Sequence, residues 1–224
     1  GKSFYHGVPN IRLIGQFLPA TIQLGVVALI ISLLVGIPMG ILAAINRGGF
    51  LDQASMVVAL VGQAMPSFWQ GLMLMLVFAV TLKWLPVSGK GTWQHLILPA
   101  LTLSSYSTAQ NARMVRSSML EVLGQDYVRT ARAKGLSERV VLYRHALKNA
   151  MIPVITLIGI QIGWILGGAV IIETIFAWPG MGRLVVQAIS TRDIPLVQAS
   201  VIVFALAFVS VNFLVDLTYG YIDP

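Results

Sequence analysis

Five stretches of this chain carry no charged residue and are each long enough to cross a lipid bilayer. They run 13–46, 53–82, 91–112, 149–172 and 194–215, which is 34, 30, 22, 24 and 22 residues. A helix needs about 20 apolar residues to cross the hydrocarbon core, and no other charge-free run here exceeds nine. The composition agrees: 57% of residues are hydrophobic, 10% are charged and the mean hydropathy is +0.83, whereas roughly a quarter of residues are charged in a soluble domain. The fold class expected is an all-α integral membrane protein with five transmembrane helices, at about 18–45, 54–82, 95–113, 150–172 and 195–217. No internal repeat or linker divides the chain, so residues 1–224 read as one domain.

Charge is concentrated between the third and fourth windows. From Arg113 to Lys148 stand eight of the fifteen Lys and Arg residues, with Glu121, Asp126 and Glu138. Basic residues between spans mark a cytoplasmic loop, so the +7 formal charge is explained without nucleic acid. With this loop inside, five spans put the N-terminus of the chain outside and its C-terminus in the cytoplasm. Within the loop, Leu120, Leu123, Tyr127 and Ala131 recur at helical spacing, opposite Glu121, Arg129 and Arg132. Gly135 after Lys134 reads as a helix stop and Ser137 as the N-cap of a second short helix through Val140, Val141 and Leu147. The result is a compact elbow, after which Pro153 restarts the apolar sequence.

The runs YVRTARAKGL and RHALKNAMIPV in this loop resemble the cytoplasmic loop of ABC importer permeases, most closely the dipeptide, oligopeptide and nickel branch. Ala131 and Gly135 match the family's EAA-and-glycine motif, while Arg129 and Thr130 stand where Glu and Ala are usual. The resemblance implies the type I ABC importer permease fold, lacking its first helix in this chain. It also implies a coupling helix around Gly135 that enters a cleft on an ATP-hydrolysing partner. The contact residues would be Tyr127, Ala131, Lys134, Gly135, Leu136 and Ser137.

Other positions carry weaker signals. Pro19 suits the first turn of the first span, and Asn46 to Phe50 reads as a tight inner turn. Pro66, followed by Ser67, should kink the second span near mid-membrane. The third span is polar over Thr102 to Asn111, including Ser104, so it cannot face lipid on every side. Gln161 lies near the middle of the fourth span, ahead of Gly163, Gly167 and Gly168, whose spacing suits close helix packing. Pro66, Ser67, Ser104 and Gln161 are the candidates for a translocation path or gate. The absence of cysteine excludes disulfides and thiolate metal sites, and His6, His95 and His145 lack ligand spacing. The GKG step near Gly89 has Trp84 where a phosphate-binding loop needs glycine. No catalytic constellation, metal site or cofactor is expected.

After the fourth span the chain reads ETIFAWPGMGRLVVQAISTRDIPLVQ. Glu173 should lie hydrated at the outer membrane boundary or pair with Arg183, with Phe176 and Trp178 at interfacial depth. Pro179, Gly180 and Gly182 should reverse the chain, the glycines through conformations closed to other residues. This run also resembles the peptide permeases, and the likeness extends from Leu18 to Pro224, including the closing VDLTYGYIDP. The resemblance implies a permease subunit of a bacterial or archaeal cytoplasmic membrane importer for dipeptides, oligopeptides, glutathione or nickel. Its partners would be a homologous second permease, two ATP-binding subunits and an extracytoplasmic solute-binding protein. The alternative is a secondary transporter or channel, against which stands the lack of charge within the spans. In a third reading the basic loop merely anchors anionic lipid.

Overall fold

The structure, a computed structural model, describes the backbone of residues 1–222 and omits the side chains of 166, 214–216 and 218–222. The closing VDLTYGYIDP therefore lies largely outside the described residues. Those residues form α1 (Asn10–Ile45), α2 (Phe50–Ala64), α3 (Ser67–Leu74), α4 (Gln94–Leu123), α5 (Asp126–Ala133), α6 (Glu138–Val140), α7 (Leu147–Ile175), α8 (Met181–Ser190) and α9 (Ile194–Ile222). Wider π-helical turns extend α3 over Met75–Thr81 and join α6 to α7 over Val141–Ala146. Among the described residues no strand forms beyond a single bridge between Lys2 and Pro9.

Among the described residues three helical stretches are long and apolar enough to cross a membrane: Asn10–Ile45, Glu138–Ile165 and Ile194–Phe213. A fourth counts only if Phe50–Ala64 and Ser67–Thr81 are taken together. The expected third span lies within α4, which has ample length. Its hydroxyl-rich run keeps it out of the apolar set, and Thr102, Ser104, Ser107 and Asn111 are all buried in protein. The exposed side chains of Ile22, Val26, Ile30 and Leu34 form one stripe on α1, as a lipid-facing surface requires.

Several boundaries differ from expectation. The first helix starts at Asn10, so Pro19 sits inside it; the lost N–H leaves only the Gly15 carbonyl without its helical donor. Pro66 does more than kink the second span. Its ψ of 135° makes it an extended N-cap of α3, because the ring and the missing donor break the ladder at Met65. In the charged loop the helix breaks at Gly124 and Gln125 before α5 begins, so the stripe from Leu120 to Ala131 is not continuous. The helix after Ser137 is not short either, running through the π-helical turns into α7 with Pro153 inside it.

Backbone contacts group the chain into two compact units, each built from non-adjacent segments. One comprises Gly1–Ile30, Met65–Ser104 and Ile160–Pro224. Its core includes Leu13 and Ile14 of α1, Met181, Leu184 and Ala188 of α8, and Leu196 of α9. The other comprises Ile31–Ala64 and Ser105–Gly159, with Ala44, Val115, Met119, Ala146, Ala150 and Val154 at its centre. In that second unit α1 meets α4 almost backbone to backbone. A Cβ on Gly36 would come within 2.8 Å of the Thr108 carbonyl, and one on Gly40 within 2.6 Å of the Ala112 carbonyl. This small-residue pair four apart is a close-packing motif of membrane helices.

Candidate functional site

The elbow in the charged loop is built around a left-handed residue. Gly135 takes φ +77°; its N–H donates to the Arg132 carbonyl at 2.9 Å, and that of Leu136 to Ala131 at 3.4 Å. These two bonds close α5 in the manner of a Schellman motif, in which glycine avoids the Cβ penalty of positive φ. Nothing lies within 4 Å of a Cβ placed on Gly135, so the requirement there is conformational rather than steric. Ser137 holds the N-cap position, but through its backbone: its side chain makes no cap bond, while its carbonyl accepts from Val141 N–H at 3.0 Å. Across the turn the Arg132 guanidinium forks onto Glu138, Nε to Oε1 at 2.7 Å and Nη2 to Oε2 at 3.3 Å.

Beneath the turn, Ala131 is buried with Val128 and Val141, so it holds the elbow together from within. The inward-facing neighbour on α5 is Val128 rather than the expected Tyr127, which is exposed. The Tyr127 hydroxyl accepts from the Asn149 amide at 2.7 Å and ties α5 to the start of α7. Lys134, Gly135, Leu136 and Ser137 are all exposed. A compact apolar knot thus presents one small solvent-facing turn.

The outer segment is organised by Glu173, which is fully buried rather than at a hydrated boundary. Its carboxylate accepts from Thr21 Oγ1 at 2.6 Å, Gly182 N–H at 2.7 Å and Arg183 N–H at 3.2 Å. The Thr21 hydroxyl oxygen in turn accepts from Met181 N–H at 2.8 Å. The first three free N–H groups of α8 are therefore satisfied by two side chains from distant helices, with an acidic side chain at the positive end of the helix. Arg183 meets Glu173 only through its backbone; its guanidinium donates to the Ala177 carbonyl at 2.7 Å.

The turn between α7 and α8 is equally determined. Ala177 sits at φ +49° and Trp178 N–H returns to the Glu173 carbonyl at 2.9 Å, a helix end that would cost less with glycine. Half-buried Pro179 bridges a tight turn in which Gly180 N–H donates to the Trp178 carbonyl at 2.8 Å. Phe176 and Trp178 are buried rather than interfacial. The Trp178 indole donates to the Ala20 carbonyl at 2.9 Å, and Lys90 Nζ lies 5.4 Å from the ring centre. Gly180 has φ −109°, open to any residue. The need for glycine at 180 and 182 is space: a Cβ would strike the Glu173 carboxylate at the first and the Val170 Cα at the second.

The path candidates differ in exposure. Pro66 is exposed and Ser67 half-buried. Ser104 is buried and donates to the Leu101 carbonyl at 3.0 Å, and Gln161 is buried. Gly163 does pack closely, within 2.5 Å of Phe208 for an added Cβ, and Gly168 meets Leu103 at 3.3 Å; Gly167 has open space. Two connections escaped the sequence reading. Asp52 and Arg116 form a two-pronged ion pair at 2.5 and 2.8 Å. Asp193 binds the amino-terminal lead through the Ser3 hydroxyl, Phe4 N–H at 3.1 Å and Tyr5 N–H at 3.2 Å. Neither pairing has a local signal, since the partners are far apart in sequence; the glycine pair at 36 and 40 did.

Residues 36–224 match the family described as binding-protein-dependent transport system inner membrane component. The chain belongs to that family. It is 44% identical to a dipeptide transport system permease protein of Alkalihalophilus pseudofirmus, over 100% of this chain and 76% of that protein. It is 45% identical to a glutathione transport system permease protein of Salmonella choleraesuis, over 95% and 69% respectively. Among solved structures, an inward-facing form of a methionine ABC transporter aligns with TM-score 0.82 at 15% identity, covering 96% of this chain and 98% of that one. An amino acid ABC transporter structure aligns with TM-score 0.75. The fold is that of ABC importer permeases. As a family member this protein is the non-catalytic membrane subunit of an ATP-driven importer, with hydrolysis on separate subunits.

Proposed function

We propose that this chain acts as one permease domain importing short peptides or a related small solute such as glutathione, and that the elbow at Gly135 couples it to an ATP-binding subunit. The two relatives support the substrate class. Its assembly would contain a second, homologous permease, two ATP-binding subunits and an extracytoplasmic solute-binding protein. The excess of basic residues on the elbow side supports a cytoplasmic elbow and C-terminus, with the described N-terminal lead outside.

The observation that carries the coupling role is the combination at Gly135 to Ser137. The turn is exposed, yet a buried apolar knot and a left-handed glycine fix its shape. A preformed convex turn of this kind docks without paying for ordering. ATP binding by the partner would then bias one permease conformation over another through differential contact with this turn. The outer segment, held rigid by Glu173, is the candidate for the outer gate or for receiving the solute-binding protein.

Gly135→Val tests the elbow. Valine at positive φ costs on the order of 1 to 2 kcal/mol, and open space around the residue means that no steric clash spreads the damage. Membrane insertion and copurification of the second permease should survive, while solute-stimulated ATPase activity and uptake should fall. Wild-type uptake by Gly135→Val would remove the elbow from the mechanism.

A further inference from the structure

A cavity of about 430 Å³ opens within the second unit, lined by Met56, Gln63, Gln110, Arg113, Arg116 and Ser117 among others. It contains none of the path candidates chosen from the sequence. Of its two arginines, Arg116 is neutralised by the two-pronged pair with Asp52. Arg113 faces no carboxylate in any ion pair described here; its Nη1 donates to the Gln63 side-chain oxygen.

The direction in which Arg113 reaches is informative. Gly62 lies level with Ser105 and Ala109 on α4, within 3.6 to 3.9 Å for an added Cβ, and Gln63 follows it. Asp52, at the start of α2, lies level with Arg116. Arg113 therefore bends away from the Asp52 end, toward the interior of the apolar windows. Arginines near helix ends usually reach outward to water. Arg113 instead reaches the Gln63 amide oxygen along the wall of an open, solvent-exposed cavity, and a basic side chain lining such a cavity among membrane helices marks a functional site.

We propose that this cavity is a binding subsite for the free carboxylate of the transported solute. Arg113 is the anion-recognising group, and Gln63 and Gln110 are hydrogen-bonding partners for adjacent amides. A guanidinium presents a planar donor fork that matches a carboxylate. The volume falls in the range of small-molecule sites. A glutaminyl amide carries both donors and an acceptor; here the Gln63 oxygen accepts from Arg113 and the Gln110 amide donates to the Tyr106 hydroxyl at 2.9 Å, bonds that a peptide backbone would share or exchange. This assignment rests on the peptide-importer reading above and deepens it.

Because the chain has no cysteine, Ser117→Cys places one reporter thiol of this chain on the cavity wall. In inside-out membrane vesicles of the assembled importer without nucleotide, anionic sulfonatoethyl methanethiosulfonate should modify that thiol faster than cationic trimethylammonioethyl methanethiosulfonate. The preference should be about three- to tenfold, from one nearby positive charge in a wet site, and should vanish when Arg113→Gln is added. Alanylalanine should slow the modification, whereas alanylalanine amide and inorganic phosphate should not. An unchanged preference in the Arg113→Gln background, or equal protection by the acid and its amide, overturns the subsite. Protection by phosphate equal to that by the dipeptide also overturns it, in favour of a general anion or lipid headgroup site. ATP-dependent uptake of alanylalanine by the parent importer is measured alongside. Its absence counts against the peptide reading, whereas uptake with no Arg113 effect counts against this site alone.

Discussion

Glu173 and the two glycines near it show how a single buried carboxylate can dictate its neighbours. The N–H groups of Gly182 and Arg183 and the Thr21 hydroxyl converge on it, and both Gly180 and Gly182 lie too close to tolerate a side chain. The obstacles differ in kind. At Gly180 the atoms in the way belong to the Glu173 side chain, which can shift by loosening its bonds to α8, whereas at Gly182 they include the Val170 backbone, which cannot yield locally. Gly182→Ala should therefore destabilise the purified complex by roughly 1 to 3 kcal/mol, and Gly180→Ala by less. Thermal unfolding in detergent measures both, and equal losses would place the constraint elsewhere. In the sequence these glycines look like conformational necessities; at φ −109° Gly180 is not one. A glycine kept for space cannot be told from one kept for φ until its neighbours are known.

Among the elements, the amino-terminal lead is held by a loop at the other end of the chain. Burial alone would raise the Asp193 carboxyl. The Ser3 hydroxyl and the N–H groups of Phe4, Tyr5 and Leu196 outweigh it and hold the group below its ordinary range. A carboxyl depressed in the folded state contributes stability that is present above its unfolded value near 4, and loses it as pH falls through the folded value. Hydrogen exchange at Phe4 and Tyr5 should stay protected at neutral pH and gain local opening only below about pH 4. Asp193→Asn should expose both amides at pH 7, and continued protection in that variant would show that the clasp does not depend on charge. The elements themselves were partly legible beforehand. The stop at Gly135 and the turn expected at Asn46 to Phe50 rest on local rules; the stop is where expected, and the turn closes at Gly49 with Phe50 already the first residue of α2. The start of α1 and the buried state of Phe176 and Trp178 were not legible, because both depend on partners outside the local stretch: Pro195 for Asn10, and Ala20 for Trp178.

For the whole molecule, charge-free windows were enough to indicate a helical membrane protein, because lipid penalises charge and unpaired backbone everywhere along a span; that it is a permease came from the resemblance of the loop and outer-segment motifs. The windows were less able to count spans. The buried hydroxyls of α4 lower its hydropathy below that of a lipid-facing span, and the break at Pro66 divides one apolar window between two helices. Orientation is the global property most open to test. A cysteine at Ser88 should react with an impermeant reagent applied outside, and one at Ser137 only once the membrane is opened; labelling of Ser137→Cys in intact cells would reverse the arrangement.

The contact of Gly36 and Gly40 with the carbonyls of Thr108 and Ala112 also limits how the permease can move. Two helices touching through their main chains have no side-chain cushion to deform, so neither can slide or roll past the other without first separating. Over these residues α1 and α4 behave as one girder. Arg113 and Arg116 belong to the α4 side of that girder, within a few residues of the contact. Any motion that opens or closes the arginine cavity must therefore displace α2 or α7, which supplies Leu157 to its wall, or carry this stretch of α1 along with α4.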